Sequence, residues 1–155
     1  MQQEFMARAI ELSRLGMRAG KGGPFGAVIV RGDEIVAEGH NEVFLCKDPT
    51  AHAEVVAIRR AAAKLDHFRL TGCEIYTSCE PCPMCLAAIY WARIERIHFA
   101  NTADDAKRIA FDDRNLYQEM KLSRAERQIP SRQLLREPAL AVFREWQEKA
   151  DRIEY

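Results

Sequence analysis

Apolar residues recur along the first stretch of the chain as Phe5, Ile10, Leu12, Leu15 and Met17, set among charged and polar neighbours. The spacing predicts an amphipathic helix over residues 2–19, ended by Gly20. Gly22-Gly23-Pro24 breaks the pattern. Ala27-Val28-Ile29-Val30 is short, apolar and rich in β-branched residues, and Ile35-Val36-Ala37 follows after Arg31-Gly32-Asp33-Glu34. Two such runs around a Gly-Asp pair predict a β-hairpin. Residues 40–49 read as loop. Thr50 offers an N-cap for the alanine-rich run from Ala51 to Leu65, which predicts a helix. Glu74-Ile75-Tyr76-Thr77-Ser78 reads as a strand, Cys79 to Pro81 as a turn, and Pro83 as the first turn of a helix reaching about Trp91. Arg96 to Ala100 reads as a further strand. Strand, helix and strand at these spacings imply parallel strands joined by a crossover. Helices are expected over 104–109 and 114–122, a weak edge strand over Ser131–Leu135, and a last amphipathic helix from Pro138 carrying Leu140, Val142, Phe143 and Trp146.

Composition narrows the class. A chain of 155 residues with 48% hydrophobic and 30% charged side chains is sized for one domain with a real core, here residues 1–155. There are no internal repeats or low-complexity tracts. No apolar run approaches the length of a membrane span, and the start of the chain lacks the pattern of a secretory signal. Five cysteines is an odd number, and Cys79, Cys82 and Cys85 fall within seven residues. That argues against a disulfide framework and for metal ligation in a reducing cytoplasm. A formal net charge of zero gives no support to a polyanionic substrate and is compatible with a small neutral one.

The chemistry concentrates in two stretches, Thr50-Ala51-His52-Ala53-Glu54 and Cys79-Glu80-Pro81-Cys82-Pro83-Met84-Cys85. His52, Cys82 and Cys85 supply one imidazole and two thiols, a donor set for zinc that leaves a fourth position to water. Glu54 is close enough in sequence to handle that water's proton. Both stretches open helices, and positive helix ends favour thiolates. The competing reading is a zinc staple with Cys79 as fourth ligand, hence a non-catalytic interaction module. Glu54 weighs against it, since a staple needs no general base. Cys46 and Cys73 read as small buried hydrophobes. His40, His67 and His98 have no metal-spaced neighbours.

His-x-Glu followed by Pro-Cys-x-x-Cys is the pattern of zinc-dependent nucleobase deaminases, and the chain resembles the cytidine deaminase superfamily. Within it the chain is similar to the bacterial guanine deaminases, through Gly22-Gly23-Pro24-Phe25-Gly26, Gly39-His40-Asn41, both zinc stretches, Ala88-Ile89-Tyr90-Trp91-Ala92-Arg93, Phe111-Asp112-Asp113 and the closing Glu154-Tyr155. The resemblance implies a three-layer α/β/α fold with a five-stranded mixed sheet, one zinc ion per subunit, and hydrolysis of guanine to xanthine and ammonia. It implies Glu54 as proton shuttle and Asp113 as a second acid near the exocyclic amine. It also implies a base-binding set of Phe25, Asn41, Ala53, Trp91 and Tyr155. Homodimers are implied as well, with a C-terminal segment of about residues 138–155 that can cross to the partner. The chain departs from the family at Ile109-Ala110, where smaller residues such as glycine are expected. Guanosine, another aminopurine or aminotriazine, and the adenosine of a tRNA are the alternative substrates. The last would call on the basic stretch of Lys121, Arg124, Arg127, Arg132 and Arg136, which Glu126 and Glu137 dilute.

Overall fold

Ala27-Val28-Ile29-Val30 forms the centre of β1 (Gly26–Arg31), a strand buried at every position but its last. Both of its faces are covered, which is why the apolar run is continuous rather than alternating. β1 pairs antiparallel with β2 (Glu34–His40) across the expected turn, where Gly32 takes φ +59°. Its other edge pairs antiparallel with β3 (Cys73–Cys79), and β3 pairs parallel with β4 (Arg96–Asn101). The crossover between β3 and β4 carries α4 (Pro83–Trp91), as the spacing predicts.

The structure is a computed structural model, and it describes residues 1–154. Among them the sheet has four strands in the order β2-β1-β3-β4, not the five that the resemblance implied. Ser131–Leu135 does not supply the fifth. Leu134 and Leu135 are exposed, and Leu135 takes φ 51°, a left-handed conformation incompatible with a strand.

The sheet lies between helical layers. α1 (Gln2–Arg18) covers one face, packing Phe5, Ala9 and Leu12 on Val28, Val30 and Tyr76. α3 (Ala53–Leu65) and α4 cover the other, bringing Ala53, Ala57, Ala61 and Ile89 onto Ala27, Ile29 and Ile75. The three-layer α/β/α arrangement therefore holds. The inward stripe of α1 is Phe5, Ala9, Leu12 and Gly16, while Ile10, Leu15 and Met17 are exposed. Close approach of α1 to β1 explains the small residue at Ala9. A Cβ on Gly26 would collide with the Ala9 carbonyl oxygen and lie 2.6 Å from Ser13 N.

Gly39 plays the same part for α3. A Cβ there would collide with the Ala53 carbonyl oxygen and sit 2.8 Å from Ala57 N, both backbone atoms. The first turn of α3 thus rests on β2 with no room for one methyl group. Gly39→Ala should lower stability by about 2–3 kcal/mol through overpacking. Urea unfolding would measure it, and an unchanged midpoint would mean that α3 is free to shift.

The remaining elements are short. α2 (Val43–Cys46) interrupts the stretch expected to be loop, and α5 (Ala103–Arg108) starts from a Thr102–Asp105 capping box. α6 (Arg114–Lys121) and α7 (Arg136–Glu148) follow. Contacts divide the chain into two compact units, Met1–Arg114 and the part from Asn115 onward. The first holds the sheet. In the second, neither α6 nor α7 has a buried residue beyond Arg114, and Leu116, Met120, Val142, Phe143 and Trp146 are exposed. Among the described residues no helix is long and apolar enough to cross a membrane. All five cysteines are free. Cys73 is buried as expected, whereas Cys46 is exposed because it sits at the end of α2.

Candidate metal centre and active site

The two chemical stretches meet at the starts of α3 and α4. Each helix is preceded by an extended residue whose side chain leaves the helix axis: His52 is the N-cap of α3 and Cys82 the N-cap of α4. Thr50, the expected cap, lies outside the helix and binds Asp48, its Oγ1 donating at 2.7 Å. Neither N-cap side chain bonds to its helix start. Both turn toward a common point instead. Pro83 takes the first turn of α4, where it costs no backbone hydrogen bond.

His52 Nδ1 lies 3.6 Å from Cys82 Sγ and 3.5 Å from Cys85 Sγ. The three donor atoms all fall within 4.8 Å of one another. Zinc bonds of ordinary length in a tetrahedron put a nitrogen and a sulfur about 3.6 Å apart. The cluster therefore fits zinc by spacing as well as by donor type. Cys79 is not part of it. Its Sγ approaches the Thr102 carbonyl oxygen at 3.6 Å, and burial pushes its thiol up to about 11. The ligand that a staple would require points elsewhere.

The donors of the cluster are electrostatically coupled to one another. The Cys85 thiol donates to Cys82, and His52 adds to the effect, so Cys82 drops to about 4 while Cys85 is pushed up. The hydrogen bond with the Cys82 thiolate raises His52 in turn. Glu54 is buried in the first turn of α3, and its Oε2 accepts from Cys85 Sγ at 3.4 Å. Desolvation by burial pushes its carboxyl above the usual carboxylate range, which suits an acid that must both take and return a proton.

A family model for the zinc-binding region of cytidine and deoxycytidylate deaminases matches residues 1–101. The chain belongs to this deaminase family. The deaminase is similar to the guanine deaminase of Bacillus subtilis, with 48% identity over 153 residues, covering 99% of this chain and 98% of that one. Its fold superposes on a crystal structure of that protein with a TM-score of 0.97 at 47% identity, covering 100% and 99% of the two chains. A guanine deaminase from Nitrosomonas europaea gives a TM-score of 0.67 at 30% identity, over 94% of this chain and 84% of that one. A tRNA-specific adenosine deaminase from Aquifex aeolicus is 48% identical over 77 residues, which is 50% of this chain and 51% of that protein.

Of the other expected residues of the deaminase, Asp113 lies within electrostatic reach of the cluster. Burial and the negative Cys82 both raise Asp113. Its neighbour Asp112 is engaged instead by Arg114, whose Nε and Nη2 donate at 2.9 Å each, and falls to about 2. The two adjacent acids are thus separated in role by one arginine. Phe25 meets Phe111 edge-to-face, with ring centroids 4.9 Å apart. Phe111 belongs to the Phe111-Asp112-Asp113 segment of the resemblance, but its contact with Phe25 was not expected from the sequence. Asn41 is buried, and its Oδ1 accepts from Gly23 N and Val43 N, both at 3.2 Å. That pairing leaves its amide N–H groups as what it can offer a ligand. Ala53 is fully buried between the ligand and the acid.

One expected residue stands apart. Trp91 is exposed at the far end of α4, six positions beyond Cys85 and hence about 9 Å along the axis. The helix carries it away from the metal cluster. Tyr155 lies outside the described residues.

The departure at Ile109-Ala110 has a structural counterpart. Phe111 N donates to the Ala106 carbonyl and Ala110 N to that of Lys107, which is the Schellman ending of α5. Ala110 takes φ +70° at the position glycine usually fills. A Cβ in this region costs about 1–2 kcal/mol. The strained alanine is the last step before the Phe111-Asp112-Asp113 segment.

Proposed function

We propose that this protein is a zinc-dependent guanine deaminase that hydrolyses free guanine to xanthine and ammonia. The observation that carries the reading is the extent of likeness. Similarity to the Bacillus subtilis guanine deaminase runs through almost the whole chain, while the tRNA-specific adenosine deaminase matches half of it. The site geometry agrees, because a buried acid stands against a three-donor metal cluster.

His52, Cys82 and Cys85 would hold the zinc, which would supply Lewis acidity that lowers the pKa of a water toward neutrality. Glu54 takes the first proton of the attacking water and delivers it to the ring nitrogen beside C2. It takes the second from the resulting hydroxyl and delivers it to the exocyclic amine, which leaves as ammonia. The carbonyl of xanthine remains. Atoms balance as guanine plus water giving xanthine plus ammonia. Asn41 donates to the acceptor edge of the purine, where O6 and N7 lie. Phe25, braced by Phe111, stacks on the ring, and the buried backbone around Ala53 closes the wall behind it. Asp113 accepts from the exocyclic amine and holds it for departure. Trp91 and Tyr155 belong to this reading only through the resemblance.

The test is ammonia release from guanine, guanosine, 2,6-diaminopurine, an aminotriazine and a tRNA anticodon stem-loop. Guanine should be turned over and the stem-loop left intact; the reverse result ends the proposal. For Asp113→Asn the expected outcome is a fall in kcat of roughly a hundredfold with zinc still stoichiometric. Wild-type kinetics in that variant would reduce Asp113 to a turn residue.

The same reading extends to assembly. The exposed apolar side chains of α6 and α7 support a homodimer in which residues of about 138–155 reach the partner subunit. Sedimentation equilibrium should give twice the mass of one chain, and a monomer at micromolar concentration would refute it.

A further inference from the structure

Glu42 stands at the N-cap of α2, yet its side chain makes no bond to that helix start. It turns inward and is 8% exposed. Its Oε1 accepts from Arg60 Nη2 at 2.7 Å and lies 3.7 Å from His40 Nε2. Its Oε2 lies 3.9 Å from Cys46 Sγ. Arg60, on α3, also donates through Nη1 to the Glu38 carbonyl at 3.0 Å. One arginine thus grips the end of β2 and the residue after Asn41 together. The backbone N–H of Glu42 donates to the Ala51 carbonyl at 2.9 Å, and Ala51 immediately precedes His52. A single buried residue is therefore tied to Asn41 on one side and to the approach to the metal ligand on the other.

We infer that Glu42 is a positioning residue, the buried end of an Arg60–Glu42–His40 clamp that fixes how Asn41 meets the substrate. The inference rests on the proposed function, because that reading makes Asn41 a substrate group. Asn41 is held on its other side by its own N–H, which donates to the Phe25 carbonyl at 2.9 Å. Its Oδ1 is committed to the N–H groups of Gly23 and Val43. The direction of its free amide hydrogens then follows the backbone of residues 41–43, and Glu42 holds that backbone against α3. Without the clamp this segment would have to be ordered when substrate binds, which weakens binding. Glu54 and the metal cluster would be untouched, so the loss falls on KM rather than kcat.

The test compares Glu42→Gln, Arg60→Met and Arg60→Lys as zinc-loaded enzymes, with kcat, KM, zinc content and Tm read for each. Glu42→Gln keeps the shape of the side chain and removes the charge. KM for guanine should rise about tenfold in Glu42→Gln and in Arg60→Met, the scale seen when a supporting partner is lost. kcat should stay within about twofold. The double variant should be no worse than either single, since both act through one clamp, and Arg60→Lys should recover most of the affinity. A lowered Tm with wild-type KM in both variants would make Glu42 merely structural and overturn the inference. So would additive effects in the double variant. The wild-type control separates the two possible failures. A wild type inert toward guanine removes the proposed function and this inference with it. A wild type that turns guanine over while both variants keep its KM removes the inference alone.

Discussion

Glu54→Ala should keep one zinc per chain and lose roughly three orders of magnitude or more in kcat, the upper range for a group that serves as both acid and base. The expectation follows from where α3 begins. The N-cap of that helix is His52, so Glu54 falls in the first turn with its carboxylate near the positive helix end. Burial raises its pKa, and its Oε2 lies 3.4 Å from Cys85 Sγ. It is beside the metal donors without being one of them. Truncating it leaves His52, Cys82 and Cys85 in place, so metal analysis should read as wild type. Glu54→Gln separates shape from proton transfer. It fills the same volume and accepts a hydrogen bond, but it cannot carry the proton, and it should be as inactive as the alanine variant. Full activity in either variant would remove Glu54 from the mechanism.

The fold was legible wherever side-chain chemistry and backbone demand coincided. The β-branched run at Ala27–Val30, the Gly32-Asp33 turn and Pro83 at the head of α4 each imply one local structure, and each is present. Helix ends were legible only in part. α1, α3, α4 and α5 all close in the same left-handed way, at Gly20, Asp66, Arg93 and Ala110. Only the first carries the glycine that announces such an ending. The inward face of α1 was misread in part for a related reason. Where backbones press together, as at Gly26 and Gly39, the facing positions include small residues, and while Phe5 and Leu12 turn inward as expected, Ile10, Leu15 and Met17 lie at the surface. The absent fifth strand rested on a weak alternation at Ser131–Leu135 that a left-handed Leu135 defeats.

The metal donors were legible because their identities and spacings are chemical, not conformational. Two features of the site were not. Cap propensity pointed to Thr50 as the start of α3, but His52 occupies that place and keeps its ring free of capping. Nothing in a lone glutamate after Asn41 marks it as buried. Its partner Arg60 is 18 residues away and meets it only once α3 lies along the sheet.

Removing a metal donor should have the other large effect. Cys82→Ala and His52→Ala should each lose zinc and activity together. The reason is the tightness of the group, with His52 Nδ1 within 3.6 Å of both sulfurs, the imidazole coming from the start of α3 and both thiols from the start of α4. With one donor gone, two cannot hold the ion against water, and the starts of α3 and α4 lose the tie between them. Stability should follow the metal. Ligand binding to the folded state alone contributes about 4 kcal/mol at a thousand times Kd, so wild type treated with a chelator should melt lower than the zinc-loaded protein. The two donor variants should show no further drop when the chelator is added. Cys79→Ala is the control that decides between enzyme and staple. Its thiol faces the Thr102 carbonyl, so the variant should keep zinc and turnover. If Cys79→Ala loses the ion, or if Cys82→Ala and His52→Ala retain it stoichiometrically, the ligand set is different and the corner assigned to water is taken by protein.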